Sequence, residues 1–133
     1  MVSAVGRDPL GNLLESELES KGIRTHFMRA EIPTGTKIVL VRAGEDRRFL
    51  SFHGANESLG FKDVLDIYDR VMPEVLYLAL GVTGEVDARA GDLLKIAQAH
   101  GVDTVVDFSL SGGKVPTILQ AVKEAEVVHC NCR

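Results

Sequence analysis

The chain has 133 residues, of which 45% are hydrophobic and 26% charged, and its formal net charge is −4. That composition is typical of one globular domain with a sizeable core, and the negative charge argues against a basic surface that coats nucleic acid. The two cysteines are too few for a disulfide framework and no apolar run reaches membrane-spanning length, so we expect a cytoplasmic protein without a membrane segment.

The amino-terminal residues predict a strand followed by a helix. Met1–Gly6 is apolar and extended in character. Asp8 is suited to cap the next helix and Pro9 to occupy its first position, because proline lacks the N–H that this position leaves unpaired. The helix carries an apolar stripe, which consists of Leu10, Leu13, Leu14 and Leu18.

Two β-rich runs then surround a polar turn that contains glycine. Lys37–Arg42 and Arg47–Phe52 flank Ala43–Asp46, which predicts an antiparallel hairpin. A hairpin inside an otherwise alternating α/β pattern is an appendage, with a lid, an oligomer contact or a sheet-edge hairpin without a binding role as the open alternatives.

The centre of the chain reads as one strand–helix–strand unit. Val75–Leu80 is continuously apolar, Gly84–His100 has helical spacing, and Val102–Val106 is β-branched. We therefore expect parallel strands buried on both faces and joined by a helical crossover. Ligands bind beyond the carboxyl ends of such strands, so the segments 81–84 and 107–110 are expected beside a site.

The remaining elements are a helix before the central unit and a helix and strand after it. Phe61–Val71 predicts the first helix, Val115–Ala125 the second, and Val127–Cys130 the strand. The segment 111–114, Ser-Gly-Gly-Lys, departs from the phosphate-binding Walker pattern, and no dinucleotide fingerprint occurs.

One cluster of residues and one single aspartate could carry chemistry. His129, Cys130 and Cys132 have metal-ligand character, although a closed zinc site needs further ligands and two ordinary thiols are the simpler interpretation. Asp107 stands at the carboxyl end of a predicted central strand, where ligand and metal charge is handled, and capping of the following loop is the alternative.

The order of these elements, together with several short sequence motifs, resembles that of the ribokinase-type (PfkB) carbohydrate kinases. The motifs occur in the family's order over essentially the whole chain: 5–11 (Val-Gly-Arg-Asp-Pro-Leu-Gly), 33–35 (Pro-Thr-Gly), 54–56 (Gly-Ala-Asn), 78–81 (Leu-Ala-Leu-Gly), 106–108 (Val-Asp-Phe) and Asn131. The resemblance implies a three-layer ribokinase-like α/β fold over 1–133, with a mostly parallel central sheet and a small antiparallel β-lid at about 34–56. It also implies transfer of the γ-phosphoryl group of ATP to a sugar or nucleoside hydroxyl, with Mg²⁺.

The resemblance carries roles over to seven residues. It implies that Lys37, Leu50 and Phe52 are lid positions facing the sugar and that Gly81 and Val82 line the loop beneath it. Asp107 and Asn131 match positions that organise magnesium through water. Relatives that act on acidic sugars have arginine where this chain has Phe52 and Ser111, so a neutral sugar or nucleoside is expected.

Departures from the family pattern limit what this chain is expected to do by itself. The family's opening strands and its later Gly-Ala-Gly-Asp motif, with the general base, have no counterpart, so the chain is expected to be a truncated and inactive part of a kinase. Two rivals are a non-catalytic module that dimerises through the lid and an unrelated flavodoxin-like binding domain, which the hairpin disfavours.

Overall fold

The computed structural model describes residues 1–108 and 115–130, and these fall into two compact units, Met1–Leu59 and Gly60–Arg133. The elements of the first unit are β1 (Val2–Gly6), α1 (Pro9–Ser20), β2 (His26–Ala30), β3 (Thr36–Leu40), β4 (Arg48–Phe52) and a 3₁₀ helix (Gly54–Ser58).

The elements of the second unit are α2 (Phe61–Val71), β5 (Val75–Leu80), α3 (Gly84–Ala88), α4 (Ala90–Ala99), β6 (Asp103–Phe108), α5 (Val115–Glu124) and β7 (Val127–Cys130).

The first unit combines a parallel strand pair with an antiparallel hairpin. β1 pairs in parallel with β2, and β3 pairs with β4 in the antiparallel hairpin that the sequence predicted. Asp8 and Pro9 begin α1 as expected, with the Asp8 carboxylate accepting from the N–H of Gly11 at 2.8 Å. The core is small, and its apolar members are Ala4, Val5, Ala55 and Leu59.

The predicted apolar stripe of α1 is largely exposed. Leu13 is 56% exposed, Leu10 and Leu14 are also exposed, and the buried residue of this helix is Gly11. Helical periodicity identified the stripe correctly as a pattern, but the pattern alone does not supply an element that packs against it.

The second unit is built on the parallel sheet β5-β6-β7. Its helices and strands share the core, in which Leu93, Leu94 and Val106 are completely inaccessible to solvent. The single helix expected over 84–100 is instead two helices, because the backbone at Arg89 leaves helical geometry at φ −115° and ψ 16°.

One face of this sheet is exposed, contrary to the expectation of strands buried on both faces. Leu78 and Leu80 point into the core, whereas their neighbours Val75 and Tyr77 are 53% and 57% exposed. Side chains alternate between the faces of a strand, so a continuously apolar run can still bury only every second residue.

Among the helices of residues 1–108 and 115–130, none combines the length and the apolar character that a membrane span requires.

Candidate functional site

The adjacent carboxyl ends of β5 and β6 form the candidate site of the second unit. The parallel register pairs Ala79 with Asp107 and Leu80 with Phe108, so both strands end at the same level. Gly81 follows directly and has φ +115°, a conformation that favours glycine. The chain therefore turns sharply at the sheet edge where parallel α/β sheets bind ligands.

A buried carboxylate fixes the loop that leaves β5. Asp87 is 1% exposed, and its Oδ2 accepts hydrogen bonds from the backbone N–H groups of Gly81 at 3.2 Å and Thr83 at 3.1 Å. Its Oδ1 accepts from the Thr83 hydroxyl at 2.7 Å. Val82, in the middle of this loop, keeps 38% of its surface exposed. The Asp87 carboxylate thus holds the loop, while Val82 at its centre remains accessible to solvent.

Asp107 lies in a hydrogen-bonded row on the exposed face of the sheet. The Tyr77 hydroxyl donates to its Oδ2 at 2.8 Å, and the Nδ1 of His129 lies 3.0 Å from its Oδ1. The hydrogen bond with His129 and then that from Tyr77 lower the pKa of Asp107 below its ordinary value. Asp107 is therefore a carboxylate at neutral pH.

The geometry of Asp107 fits a role toward Mg²⁺ through water. A carboxylate oxygen can accept more than one hydrogen bond, so each oxygen retains capacity for a water molecule. Mg²⁺ usually keeps several of its waters when bound by proteins. Among residues 1–108 and 115–130, no group of three or more His, Cys, Asp or Glu side chains is arranged to hold a metal ion directly. Asn131, the other residue expected to organise magnesium, lies outside the described residues.

The hairpin of the first unit divides its three expected sugar-facing residues between two faces. The register pairs Lys37 with Ser51, Ile38 with Leu50 and Thr36 with Phe52. Leu50 and Phe52 therefore share one face, and Lys37 lies on the other. The ammonium of Lys37 lies 5.4 Å from the centre of the Phe49 ring, which belongs to the same face as Lys37.

Both faces of the hairpin carry exposed apolar side chains. Leu50 and Phe52 on one face are 59% and 53% exposed, and Val39 and Phe49 on the other are 45% and 53% exposed. Both faces of the hairpin therefore keep apolar side chains accessible to solvent.

A network of hydrogen bonds fastens the base of the hairpin to the end of β1. The carboxylate of Asp8 accepts from the backbone N–H and the hydroxyl of Thr34, both at 2.7 Å. The hydroxyl oxygen of Thr34 in turn accepts from the buried N–H of Gly6 at 2.9 Å. The backbone N–H of Thr34, that of Gly11 and the Thr34 hydroxyl lower the pKa of Asp8.

The structure brings some of the expected site residues together and separates others. Gly81, Val82 and Asp107 lie at the carboxyl ends of adjacent strands in the second unit, whereas Lys37, Leu50 and Phe52 belong to the first. Sequence reasoning missed Asp87, Tyr77 and the pairing of His129 with Asp107. The spacing of Thr83 and Asp87, one helical turn apart, was the available signal for the first of these.

Comparisons with known proteins bear on the whole chain. The sequence model of the pfkB family carbohydrate kinases matches residues 1–133. Among curated proteins, no sequence matches significantly.

Solved structures resemble the chain over nearly its full length. Giardia lamblia ribokinase superposes with a TM-score of 0.79 at 19% identity, covering 98% of this chain and 41% of that protein. Anopheles gambiae adenosine kinase, in complex with P1,P4-di(adenosine-5) tetraphosphate, gives 0.78 at 22% identity, with 98% and 41% covered. Schistosoma mansoni adenosine kinase with 2-fluoroadenosine gives 0.82 at 19% identity, with 96% and 39% covered. The fold is thus ribokinase-like, and the chain spans about two fifths of the length of these proteins.

Proposed function

The chain belongs to the pfkB family of carbohydrate kinases, and we propose that it is part of an ATP-dependent kinase that phosphorylates a hydroxyl of a neutral sugar or nucleoside. In this proposal the segment supplies the lid, one wall of the sugar site and part of the surroundings of Mg²⁺. The observation that carries the proposal is the family match over residues 1–133. The loop that begins at Gly81 and the carboxylate of Asp107, at the ends of β5 and β6, give the proposal a local site.

The described residues are suited to positioning rather than to proton transfer. Phosphoryl transfer depends on holding the reactants in line and on stabilising the spread negative charge of the phosphoryl group. Gly81 and Val82 would contact the sugar, and Asp107 would accept hydrogen bonds from water on Mg²⁺. ATP would supply the phosphoryl group, with Mg²⁺ compensating its charge. The general base is assigned to no described residue.

The preference for a neutral substrate rests on the exposed side chains of the hairpin. Leu50 and Phe52 present hydrocarbon rather than a guanidinium, which a carboxylate-bearing sugar would need as a bidentate partner. A sugar ring or a nucleoside offers apolar faces that such side chains can cover. The solved relatives named for ribose or adenosine phosphorylation are consistent with this choice.

The test is ATP-dependent phosphorylation measured on two polypeptides. The product of the complete reading frame that contains this chain should release ADP with D-ribose, D-fructose or adenosine, whereas the 133-residue chain alone should release none. Absence of turnover with every neutral sugar and nucleoside would refute the proposed activity. Robust turnover by the 133-residue chain would refute its assignment as a part of the catalytic unit.

A second candidate function is dimerisation through the hairpin, favoured by its two exposed apolar faces. If the face with Val39 contacts a second copy, Val39→Glu should convert a dimer to a monomer in light scattering, while Leu50→Glu on the opposite face should leave the mass unchanged. A monomeric wild-type protein would exclude this function.

We place the protein in the cytoplasm on the basis of its family and composition.

A further inference from the structure

A buried aspartate on α3, Asp87, holds the loop between β5 and α3, and the proposed phosphoryl transfer does not use it. Asp87 is 1% exposed, although a carboxylate loses much hydration energy on burial. The loop supplies three donors to it, the N–H groups of Gly81 and Thr83 and the Thr83 hydroxyl. Removing this carboxylate would take the acceptor from three donors of the loop, so its effect is expected first on the conformation of the loop.

Three hydrogen bonds connect Asp87 with the loop that precedes α3. Both of its oxygens point back to residues that precede α3, and they bracket Val82 on either side. Gly81 holds φ +115°, so the chain reverses direction immediately before the bracketed residue. The orientation of Val82, 38% exposed, is therefore set by the carboxylate and the glycine together.

Asp87 lies in a buried part of the chain. Val86, its neighbour on α3, is 5% exposed, and Ala90 and Leu93 at the start of α4 are fully buried. The Glu85 carboxylate also accepts from the N–H of Phe61 at 3.1 Å, which fastens α3 to the beginning of α2. A group held in this way can transmit its own position to the loop, as required of a support for a binding site.

We infer that Asp87 is a positioning residue, which holds Gly81 and Val82 in the geometry that receives the neutral sugar or nucleoside. This inference rests on the proposed function and adds to it a residue that does not touch the substrate. Loss of the carboxylate leaves the N–H groups of the loop without an acceptor, and the loop must then rearrange. Misplacement of a substrate-contacting segment by about 1 Å can cost on the order of 100-fold in rate.

The test compares kinetic constants of the kinase encoded by the complete reading frame. Asp87→Asn keeps the size of the side chain but replaces one acceptor oxygen by a donor, and it should raise the KM for the sugar by about 10- to 100-fold. The KM for ATP should change by less than about threefold, because a loop that contacts the sugar does not hold the nucleotide. Thr83→Val should raise the sugar KM in the same direction, and Thr83→Ser should restore most of the loss, because serine keeps the hydroxyl.

A matched control separates positioning from general destabilisation. Leu94→Ala removes a fully buried side chain of the same unit without a hydrogen bond to the loop, so it should lower the melting temperature with the sugar KM unchanged. An unaltered sugar KM in Asp87→Asn, or an equal increase in Leu94→Ala, would overturn the positioning role and leave the kinase activity standing. A wild-type enzyme that phosphorylates no sugar or nucleoside would overturn the proposed function and this inference together.

Discussion

Thr34→Val tests whether a single hydroxyl joins the base of the hairpin to the parallel strand pair. Thr34 is 5% exposed, and its hydroxyl accepts from Gly6 N–H at 2.9 Å while donating to Asp8 at 2.7 Å. Valine has nearly the same shape but can do neither. A buried N–H without an acceptor costs about 1–3 kcal/mol. The Asp8 side chain keeps its bonds to backbone N–H groups, so we expect the loss to come from the Gly6 N–H and to be about 1–3 kcal/mol.

The assay is native-state hydrogen exchange of the β1 amides, which reports the free energy of opening of the first unit. Two variants serve as controls. Thr34→Ser keeps the hydroxyl and should cost about 1 kcal/mol for the lost methyl group. Thr25→Val removes a hydroxyl that donates to Glu19 at an exposed position, and should cost less than about 0.5 kcal/mol. If Thr34→Val costs no more than Thr25→Val, the hydroxyl does not join these elements.

Two further predictions concern the backbone at the hairpin base and the charge of Asp107. In urea titrations, Gly54→Ala should destabilise the first unit by at least about 1 kcal/mol more than Gly44→Ala. Both glycines have positive φ, so both substitutions strain the backbone. A Cβ at Gly54 would also overlap the Pro33 carbonyl oxygen, whereas a Cβ at Gly44 meets nothing within 4 Å. Equal losses would show that the backbone at Gly54 relaxes freely. Tyr77→Phe should raise the pKa of Asp107 toward its ordinary value of 3.8, followed by carboxyl NMR titration, because it removes a hydrogen bond to the ionised form. Because the pKa of Asp107 is lowered in the folded state, its hydrogen bonds stabilise the protein above pH 3.8, and this stability is lost as the pH falls through the folded pKa. The loss should be smaller in Tyr77→Phe, in which one of these hydrogen bonds is absent. An unchanged pKa of Asp107 would contradict the hydrogen bond.

Local chemistry allowed much of the fold to be predicted from the sequence. Asp8 caps α1 because its side chain reaches an N–H three residues ahead, a contact that depends on nothing distant. The hairpin was predictable for the same reason, since a polar turn joins two β-rich runs. The family resemblance extended these local assignments to the ribokinase-like fold, which the structural comparisons confirm.

The parts of the site that escaped prediction depend on register and burial. Tyr77 reaches Asp107 because the parallel register sets it opposite Val105, two residues before Asp107, and no pattern in the sequence gives that register. The break at Arg89 was hidden because the apolar spacing continues across it. Asp87 looked like one more acidic residue in a helix, and its burial and its hydrogen bonds to Gly81 and Thr83 identify it as a support for the loop.

The exposure of β3 and β4 on both faces has a consequence for limited proteolysis. Few apolar contacts protect these strands, so local opening of the hairpin should need little free energy compared with opening of the core. The turn between them is flanked by Arg42, Arg47 and Arg48, all of them sites for trypsin. The first tryptic cut should therefore fall at this turn, and a bound substrate or partner that covers the hairpin should delay it.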